Sequence, residues 1–190
     1  CLVGSEMCIR DRYWDMIRKY PKYQGGFIWD FVDQSVRWTG KNGKMIYAYG
    51  GDFNRFDASD VNFCDNGLIS PDRVPNPHMY EVGRIYQDIW TTPADLENGE
   101  INVFNEYFFR DLSAYYMEWE VLKGGKAIRT GRVDNLNIAP RQTAKIKLDL
   151  GKTCQCTEWL LNVSYKLKNR EGLLSAGHVA VSYTHLTLPT

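Results

Sequence analysis

The sequence predicts two successive fold classes, an α/β region over residues 13–93 followed by an all-β region over residues 94–180. The first region shows helical spacing, a short apolar run, a long glycine-rich stretch and a second helix, in that order. The second region shows apolar and polar residues in strict alternation, which is the period of a strand buried on one face. A glycine pair between two such runs adds a hairpin signal.

The α/β region opens with a predicted helix from Tyr13 to Tyr20. Trp14 and Ile17 fall on one face of that helix, and Pro21 follows its end. Gly25 and Gly26 then precede the apolar run Phe27–Trp29. A short continuous apolar run is typical of a strand that is buried on both faces.

A long stretch, residues 30–75, separates this predicted strand from the next helix. It is too long for a plain connection, which indicates a functional loop. Asn76 is placed to cap the helix, and Pro77 suits its first position. The predicted buried stripe comprises Met79, Val82, Ile85, Tyr86 and Ile89. Helix, buried strand, long loop and helix in this order predict the closing unit of an α/β barrel.

The all-β region contains about six candidate strands. Gly124 and Gly125, between Leu122 and Ala127, predict a hairpin turn. The candidate strands are residues 101–107, 116–121, the segment after the glycine pair, 143–150, 158–167 and 174–179. This number and spacing of short strands predicts a β-sandwich of immunoglobulin-like shape.

The two ends do not read as native protein. Residues 2–12, LVGSEMCIRDR, and residues 181–190, VSYTHLTLPT, correspond to translations of the two companion strands of a transposon-type sequencing adapter. Adapter-derived segments must be excluded before fold reasoning. We therefore expect residues 1–12 and 181–190 to be non-native, and native sequence to extend from Tyr13 to Ala180.

Composition limits the classes of partner. The formal charge is zero, with 23 basic and 23 acidic residues, so a nucleic-acid backbone or an anionic membrane is not the expected partner. No apolar stretch reaches the roughly 18 residues of a membrane span. Aromatic residues reach 14%, and aromatic faces are one way to bind a sugar. Cys64, Cys154 and Cys156 lack metal or redox spacing and fit a reducing compartment. A reducing compartment favours the cytoplasm, and the periplasm stays open.

Four motifs then identify a family. The strings YWDMIRKYPKYQGGFIWDFVDQS, YAYGGDF, NFCDNGL and PDRVPNP occur in order, and NEYFFRDLS and SAGHVAV continue the likeness to residue 180. This pattern resembles the bacterial β-galactosidases of glycoside hydrolase family 2. The resemblance covers residues 13–180. It implies the C-terminal end of a (β/α)8 TIM barrel, residues 13–93, followed by a β-sandwich, residues 94–180.

The resemblance also implies three site residues. Trp29 matches the tryptophan against which the family packs galactose, and an indole face suits the apolar side of a sugar. Phe63, through its carbonyl, and Asn66, through its side chain, match residues that hold sodium beside the galactose 6-hydroxyl. We expect their two oxygens to converge near Trp29, and we expect a cis peptide between Trp29 and Asp30. Without the resemblance, Trp29 reads as core and NFCDNG as a turn around Asn66.

No catalytic residue is expected in this chain. The family uses two glutamates, both on earlier barrel strands, although Asp30 and Asp33 form the kind of carboxylate pair that sugar hydrolysis needs. We expect these two aspartates to brace the loop by hydrogen bonds. We expect Asp52, Asp72 and Arg73 to brace the loop as well, as an internal ion-pair network. Phe31 departs from the second tryptophan common in the family, which leaves the subsite preference open.

The resemblance implies a retaining hydrolase of terminal β-galactosides such as lactose, with magnesium near its acid catalyst and sodium at the 6-hydroxyl. The magnesium ligands are not expected in this chain. The expected partners are the galactoside and the remainder of the polypeptide, in a homo-oligomer. One alternative is a non-catalytic carbohydrate-binding or interaction module, with sugar-facing aromatics on residues 94–180. Another is a different family 2 glycosidase such as a β-glucuronidase, which the sodium motif disfavours.

Overall fold

The computed structural model describes residues 13–59, 65–151 and 159–187, with the backbone alone for 184–187. The chain forms two compact units that divide between Tyr86 and Gln87. The sequence places the domain boundary after Pro93 instead. The difference arises because a strand of the second unit already begins at Ile89.

The described residues of the first unit, 13–59 and 65–86, form two helices, one strand pair and one turn of 3-10 helix. Residues 13–19 form helix α1. Strands β1 (Val36–Thr39) and β2 (Met45–Ala48) pair antiparallel, with Val36 opposite Ala48. The 3-10 turn is Gly50–Asp52, and helix α2 is Pro77–Ile85.

The β1–β2 hairpin lies inside the stretch that the sequence assigned to a loop. Its turn contains Gly43, whose φ of 74° is accessible to glycine without strain. Asn42 Oδ1 accepts a hydrogen bond from the Lys44 N–H at 3.0 Å. An Asn-Gly pair between two strand-forming runs is a strong hairpin signal, and it was available in the sequence.

The buried strand predicted over Phe27–Trp29 does not form, so that prediction was wrong. Residues 23–28 have no regular structure, and Phe27 is fully exposed. Parallel pairing begins a few residues later, as a single bridge between Val32 and Ile69. A strand that is buried on both faces needs a neighbour on each side, and the described residues provide none for 27–29.

Helix α2 begins at Pro77, as predicted, but Asn76 does not cap it through its side chain. Instead, Asn76 Nδ2 donates a hydrogen bond to the Gly67 carbonyl at 3.0 Å. The buried face of the helix contains Val82 and Ile85. Ile89, which the sequence placed on the same stripe, belongs to the next strand.

Where the structure describes the second unit, at residues 87–151 and 159–187, it has seven strands in two antiparallel sheets. One sheet has the order β3-β4-β7 and the other β6-β5-β8-β9. The strands are β3 (Ile89–Asp95), β4 (Glu100–Asn105), β5 (Tyr115–Lys123), β6 (Lys126–Val133), β7 (Thr143–Lys147), β8 (Trp159–Leu167) and β9 (Val179–Thr187). The inward faces of both sheets share one hydrophobic core.

Alternation along the strands builds this core. In β8 every second residue from Trp159 to Leu167 is buried, as the period of a strand requires. Trp119 in β5 lies opposite Gly131 in β6, and a Cβ at Gly131 would come within 2.3 Å of the Trp119 indole. The fully buried side chains include Ile89, Ile101, Val103, Leu112, Met117, Val121, Leu136, Leu161 and Tyr165.

The predicted hairpin at Gly124 and Gly125 is present, and both glycines have positive φ, 53° and 77°. The strand predicted over 174–179 was wrong. Leu174 pairs only with Glu171 in a tight turn, and β9 runs from Val179 to Thr187. Strand β9 thus includes residues 181–187, whose assignment to adapter stays a prediction.

None of the helices in the described part of the chain is long and apolar enough to cross a membrane. Cys64, Cys154 and Cys156 lie outside the described residues.

Candidate functional site

Trp29 presents its indole to solvent in the first unit. Its side chain is 70% exposed, so Trp29 is not a core residue of this chain. The peptide bond between Trp29 and Asp30 is cis, as the sequence analysis expected.

The residues that follow Trp29 lie beside the residues that follow Asn66. Leu68 N–H donates to the Asp30 carbonyl at 3.1 Å, and Ile69 N–H donates to the Phe31 carbonyl at 3.0 Å. Asp33 N–H donates back to the Ile69 carbonyl at 3.0 Å. These bonds join two segments that are more than thirty residues apart in the sequence, and they link the surroundings of Trp29 to those of Asn66.

Gly67 makes this close approach possible. A Cβ at Gly67 would lie 2.3 Å from the Asp33 amide nitrogen, so a larger residue would displace the backbone. Gly67 N–H donates to Asp33 Oδ1 at 2.6 Å. The Gly67 carbonyl lies 3.0 Å from Asn76 Nδ2, which donates to it, and 2.9 Å from His78 Nε2. The backbone directly after Asn66 is therefore fixed on both sides.

Asn66 has an acceptor without a partner. Its Oδ1 is buried and has no hydrogen-bond donor among the described residues. The residue before it, Asp65, has a φ of 56° and accepts a hydrogen bond from Ser35 Oγ at 2.5 Å. Phe63 lies outside the described residues, so its predicted convergence with Asn66 stays a prediction. A buried amide oxygen without a donor is suited to ligate a hard cation.

The two aspartates after Trp29 brace the loop, as predicted. Asp30 Oδ1 accepts from the Phe31 N–H at 2.5 Å, and Asp30 Oδ2 accepts from Gln34 Nε2 at 2.9 Å. Asp33 is occupied by the Gly67 N–H. Both carboxylates thus have hydrogen-bond partners within the loop.

Asp72 belongs to an ion pair, but not with Arg73. Arg37 Nε lies 2.6 Å from Asp72 Oδ1, and the Tyr47 hydroxyl also donates to Asp72. The hydrogen bonds from Arg37 and then from Tyr47 lower the pKa of Asp72 below its usual value. Arg73 instead donates to the Pro71 carbonyl at 3.2 Å. The ion pair of Asp72 differs from the predicted network because the β1–β2 hairpin, which contains Arg37 and Tyr47, was not anticipated.

Asp52 has a local role. Its Oδ2 accepts the Tyr49 N–H at 3.0 Å, which closes the 3-10 turn. The preceding Gly50 has a φ of 51°, and a Cβ there would lie 2.2 Å from the Ala58 carbonyl oxygen. The GGDF motif is therefore a compact turn within the first unit.

The described residues contain no group of three or more His, Cys, Asp or Glu side chains arranged to hold a metal ion. Of the two sodium ligands predicted from the sequence, Phe63 and Asn66, the structure describes Asn66, which offers a neutral amide oxygen.

Two family profiles match the chain. The profile described as glycosyl hydrolases family 2, TIM barrel domain, matches residues 3–91, and the profile described as β-galactosidase, domain 4, matches residues 101–187. This chain belongs to the β-galactosidases of glycoside hydrolase family 2. Its first unit falls in the TIM barrel domain of the family. Its sheet-rich second unit falls in domain 4.

Curated relatives agree with this family assignment. The chain is 36% identical over 181 residues to a β-galactosidase of Priestia megaterium, covering 94% of this chain and 17% of that protein. It is 34% identical over 184 residues to a β-galactosidase of Pseudoalteromonas haloplanktis, covering 93% and 18%. A β-galactosidase of Photobacterium profundum is 35% identical over 183 residues, covering 95% and 18%. The chain therefore spans less than a fifth of the length of these family 2 relatives.

Proposed function

We propose that this family 2 segment is part of a retaining β-galactosidase that hydrolyses terminal β-galactosides such as lactose. Within it, the chain supplies Trp29 as the platform for the galactose ring and Asn66 as one ligand of a sodium site. Phe63 is the second proposed ligand. The two catalytic glutamates and the magnesium ligands lie, in this proposal, outside the chain. The second unit is proposed to be an immunoglobulin-like sandwich.

The observation that supports this proposal most is the pairing of residues 30–33 with 67–69. It connects an exposed indole to a buried amide oxygen that has no donor among the described residues. An indole face suits the C–H surface of a sugar, and an amide oxygen suits a hard cation. Bound sodium would supply a positive charge that the lone pairs of the galactose 6-hydroxyl can approach.

The reaction divides between this chain and the rest of the enzyme. In a retaining hydrolase one carboxylate forms a covalent glycosyl intermediate and a second acts as acid and then as base. Asp30 and Asp33 are occupied by the loop and fit neither role. Trp29 would bind the sugar in the ground state and in the transition state alike, so its contribution is expected mainly in KM.

The alternative of a carbohydrate-binding module depends on aromatic faces in the second unit. Phe108 and Phe109 are exposed there, but their rings are tilted by 43° and form no flat platform. The guanidinium of Arg141 also lies 4.7 Å from the centre of the Phe108 ring. These contacts favour the enzyme proposal over the binding module.

The test uses a hybrid enzyme, in which residues 13–180 replace the matching segment of the Priestia megaterium protein. We expect it to hydrolyse nitrophenyl β-galactoside in preference to nitrophenyl β-glucuronide. Trp29→Ala should raise KM by about 10- to 100-fold, the effect of losing one large aromatic contact. Trp38→Ala, which removes a half-exposed tryptophan elsewhere in the first unit, is the matched control and should change KM little.

The sodium proposal has its own readout. Replacing sodium chloride by choline chloride at equal ionic strength should raise the KM of the hybrid enzyme. Asn66→Leu should remove this sodium dependence. A hybrid enzyme with the same KM in both salts would contradict the sodium site and leave the platform untouched. Preference for the glucuronide would contradict the galactosidase assignment.

A further inference from the structure

Gln34 is directed at the residue that follows the sugar platform. Its Nε2 donates a hydrogen bond to Asp30 Oδ2 at 2.9 Å. Both side chains are partly buried, and Gln34 Oε1 is buried without a donor among the described residues. Burying an amide whose second polar atom has no partner has a cost in free energy. The hydrogen bond to Asp30 is therefore the polar contact that offsets part of this cost at Gln34.

Asp30 is the residue through which Trp29 is held. Its carbonyl accepts the Leu68 N–H at 3.1 Å, and its carboxylate is shared between the Phe31 N–H and Gln34. The Trp29 indole is largely exposed and has no ring-stacking or cation contact within the described residues. Its direction therefore depends on the backbone to which it is attached, and that backbone depends on Asp30.

We propose that Gln34 is a positioning residue for the sugar platform, acting on Trp29 through the Asp30 carboxylate. This inference rests on the proposed role of Trp29. Gln34 does not touch the sugar in this proposal. Its amide N–H holds the Asp30 side chain, and the fixed Asp30 limits the directions that the indole can take. Limiting those directions before binding reduces the conformational entropy lost when the galactoside docks.

Two substitutions in the hybrid enzyme separate this role from simple packing. Gln34→Leu keeps the approximate volume and removes the donor. We expect KM to rise about fivefold to tenfold with kcat within about twofold, because ground-state and transition-state binding weaken together. The second substitution, Gln34→Glu, adds a charge. Gln142→Glu adds the same charge at an exposed glutamine of the second unit, so it is the control for charge and should leave KM unchanged.

Gln34→Glu provides a pH-dependent rescue. At high pH two carboxylates face each other without a donor, so KM should rise as in Gln34→Leu. The Asp30 carboxylate raises the pKa of the introduced glutamate above its ordinary value of about 4.3. As the pH falls, the introduced carboxyl becomes protonated and its O–H donates to Asp30. The ratio of its KM to that of the unsubstituted hybrid enzyme should therefore decrease toward one between about pH 8 and pH 5.5.

A double substitution tests whether Gln34 acts through the indole. With Trp29→Ala already present, Gln34→Leu should change KM by less than about twofold, because the side chain that it positions is absent. If the two substitutions acted independently, their fold-changes in KM would instead multiply in the double variant.

A second measurement does not depend on turnover. In hybrid enzyme labelled with 5-fluorotryptophan, the Trp29 resonance is assigned through Trp29→Phe and followed by fluorine NMR. Gln34→Leu should shift or broaden it, and Gln34→Glu should restore it on the same pH range as KM. A Trp29 resonance unaffected by both substitutions would overturn the proposal even in a hybrid enzyme without activity.

The outcomes separate this inference from the proposed function. If Trp29→Ala leaves KM unchanged, the sugar platform itself is wrong. If Trp29→Ala raises KM but both Gln34 variants match the unsubstituted enzyme at every pH, only the role of Gln34 is wrong. A Gln34→Glu variant whose elevated KM does not respond to pH would also overturn the hydrogen-bond argument.

Discussion

The two units of this chain differ in how far they bury their large apolar side chains. In the second unit, two sheets enclose a shared core in which Leu161 and Met117 have no exposed surface. In the first unit, the hairpin and the parallel bridge that the described residues form leave large apolar side chains in solvent. These exposed side chains include Phe27, Trp29, Phe31, Trp38 and Phe56.

The difference in burial follows from how many covering layers each kind of sheet needs. A sheet with one apolar face becomes stable when a second layer covers it, and the second unit contains both layers. A parallel barrel strand must be covered on both faces and paired on both edges. The part of the first unit that the structure describes contains one such pairing, between Val32 and Ile69.

The largest expected effect is a difference in stability between the two units when the 190-residue chain is expressed alone, with the first unit the less stable. We expect brief trypsin treatment to cut the first unit and to leave the second unit intact, because exposed backbone without a core opens readily. The chain should not hydrolyse a chromogenic β-galactoside. Protease fragments are identified by mass spectrometry. Turnover by the purified chain that disappears when one of its own carboxylates is removed would show that catalytic residues lie within it.

A core truncation tests whether the second unit is one cooperative structure. Leu161→Ala should lower its free energy of unfolding by about 2–5 kcal/mol, the cost of a cavity in a packed core. Leu173→Ala is the matched control, since Leu173 is 98% exposed and its truncation should change stability by less than about 0.5 kcal/mol. Urea unfolding followed by tryptophan fluorescence measures both. Equal effects at the two positions would mean that the core described here is not formed.

The same contrast explains which elements the sequence could predict. Alternation over β4, β5 and β8 is a local pattern, and each of these strands buries its alternate face within the chain that contains it. The run Phe27–Trp29 has an equally clear pattern, yet its strand depends on neighbours that the described residues do not supply. Ile89 fits both a helical stripe and a strand start, so spacing alone could not place it.

The candidate site divides in a similar way. Trp29 and Asn66 were assigned from motifs, and the bracing of Asp33 follows from the loop that contains it. Gln34 and Arg37 were not assigned, because their roles depend on partners that the fold brings near. Arg37 meets a carboxylate 35 residues away through the β1–β2 hairpin. No property of the arginine itself signals that contact.

A buried polar residue provides the third test, within the stable unit. Asn105 is fully buried, and its Nδ2 donates to the carbonyls of Arg110 and Ile138 at 2.9 and 3.0 Å. Asn105→Asp replaces this donor by an acceptor, so we expect a loss of about 2–4 kcal/mol at pH 7. Asn135→Asp, at an exposed asparagine, is the control and should have little effect.

The pH dependence of Asn105→Asp has a definite sign. Burial and the two carbonyls raise the pKa of the introduced carboxyl in the folded state above its unfolded value of about 3.9. The folded state then binds more protons than the unfolded state, so the free energy of unfolding should increase as the pH falls toward 5. Urea unfolding at pH 7 and pH 5 measures the change. A variant equally unstable at both values would contradict the burial of Asn105.

The smallest expected effect concerns Tyr165, at the centre of the second unit. Its hydroxyl shares a hydrogen bond with Thr91 Oγ1 at 2.6 Å, so Tyr165→Phe should lower stability by about 1 kcal/mol at pH 7. Burial raises the pKa of Tyr165 above its usual value, which means that the phenolate forms only after unfolding. The tyrosine's contribution is therefore fully present below the unfolded pKa of about 10 and declines by up to about 1.4 kcal/mol per pH unit above it. Phenylalanine does not ionise, so the difference in free energy of unfolding between the original chain and Tyr165→Phe should narrow from pH 7 toward pH 11. Tyr80→Phe, in the first unit, is the control and should leave the alkaline pH dependence of the second unit's stability unchanged. Parallel unfolding curves for the original chain and Tyr165→Phe up to pH 11 would show that this hydroxyl reaches water in the folded second unit.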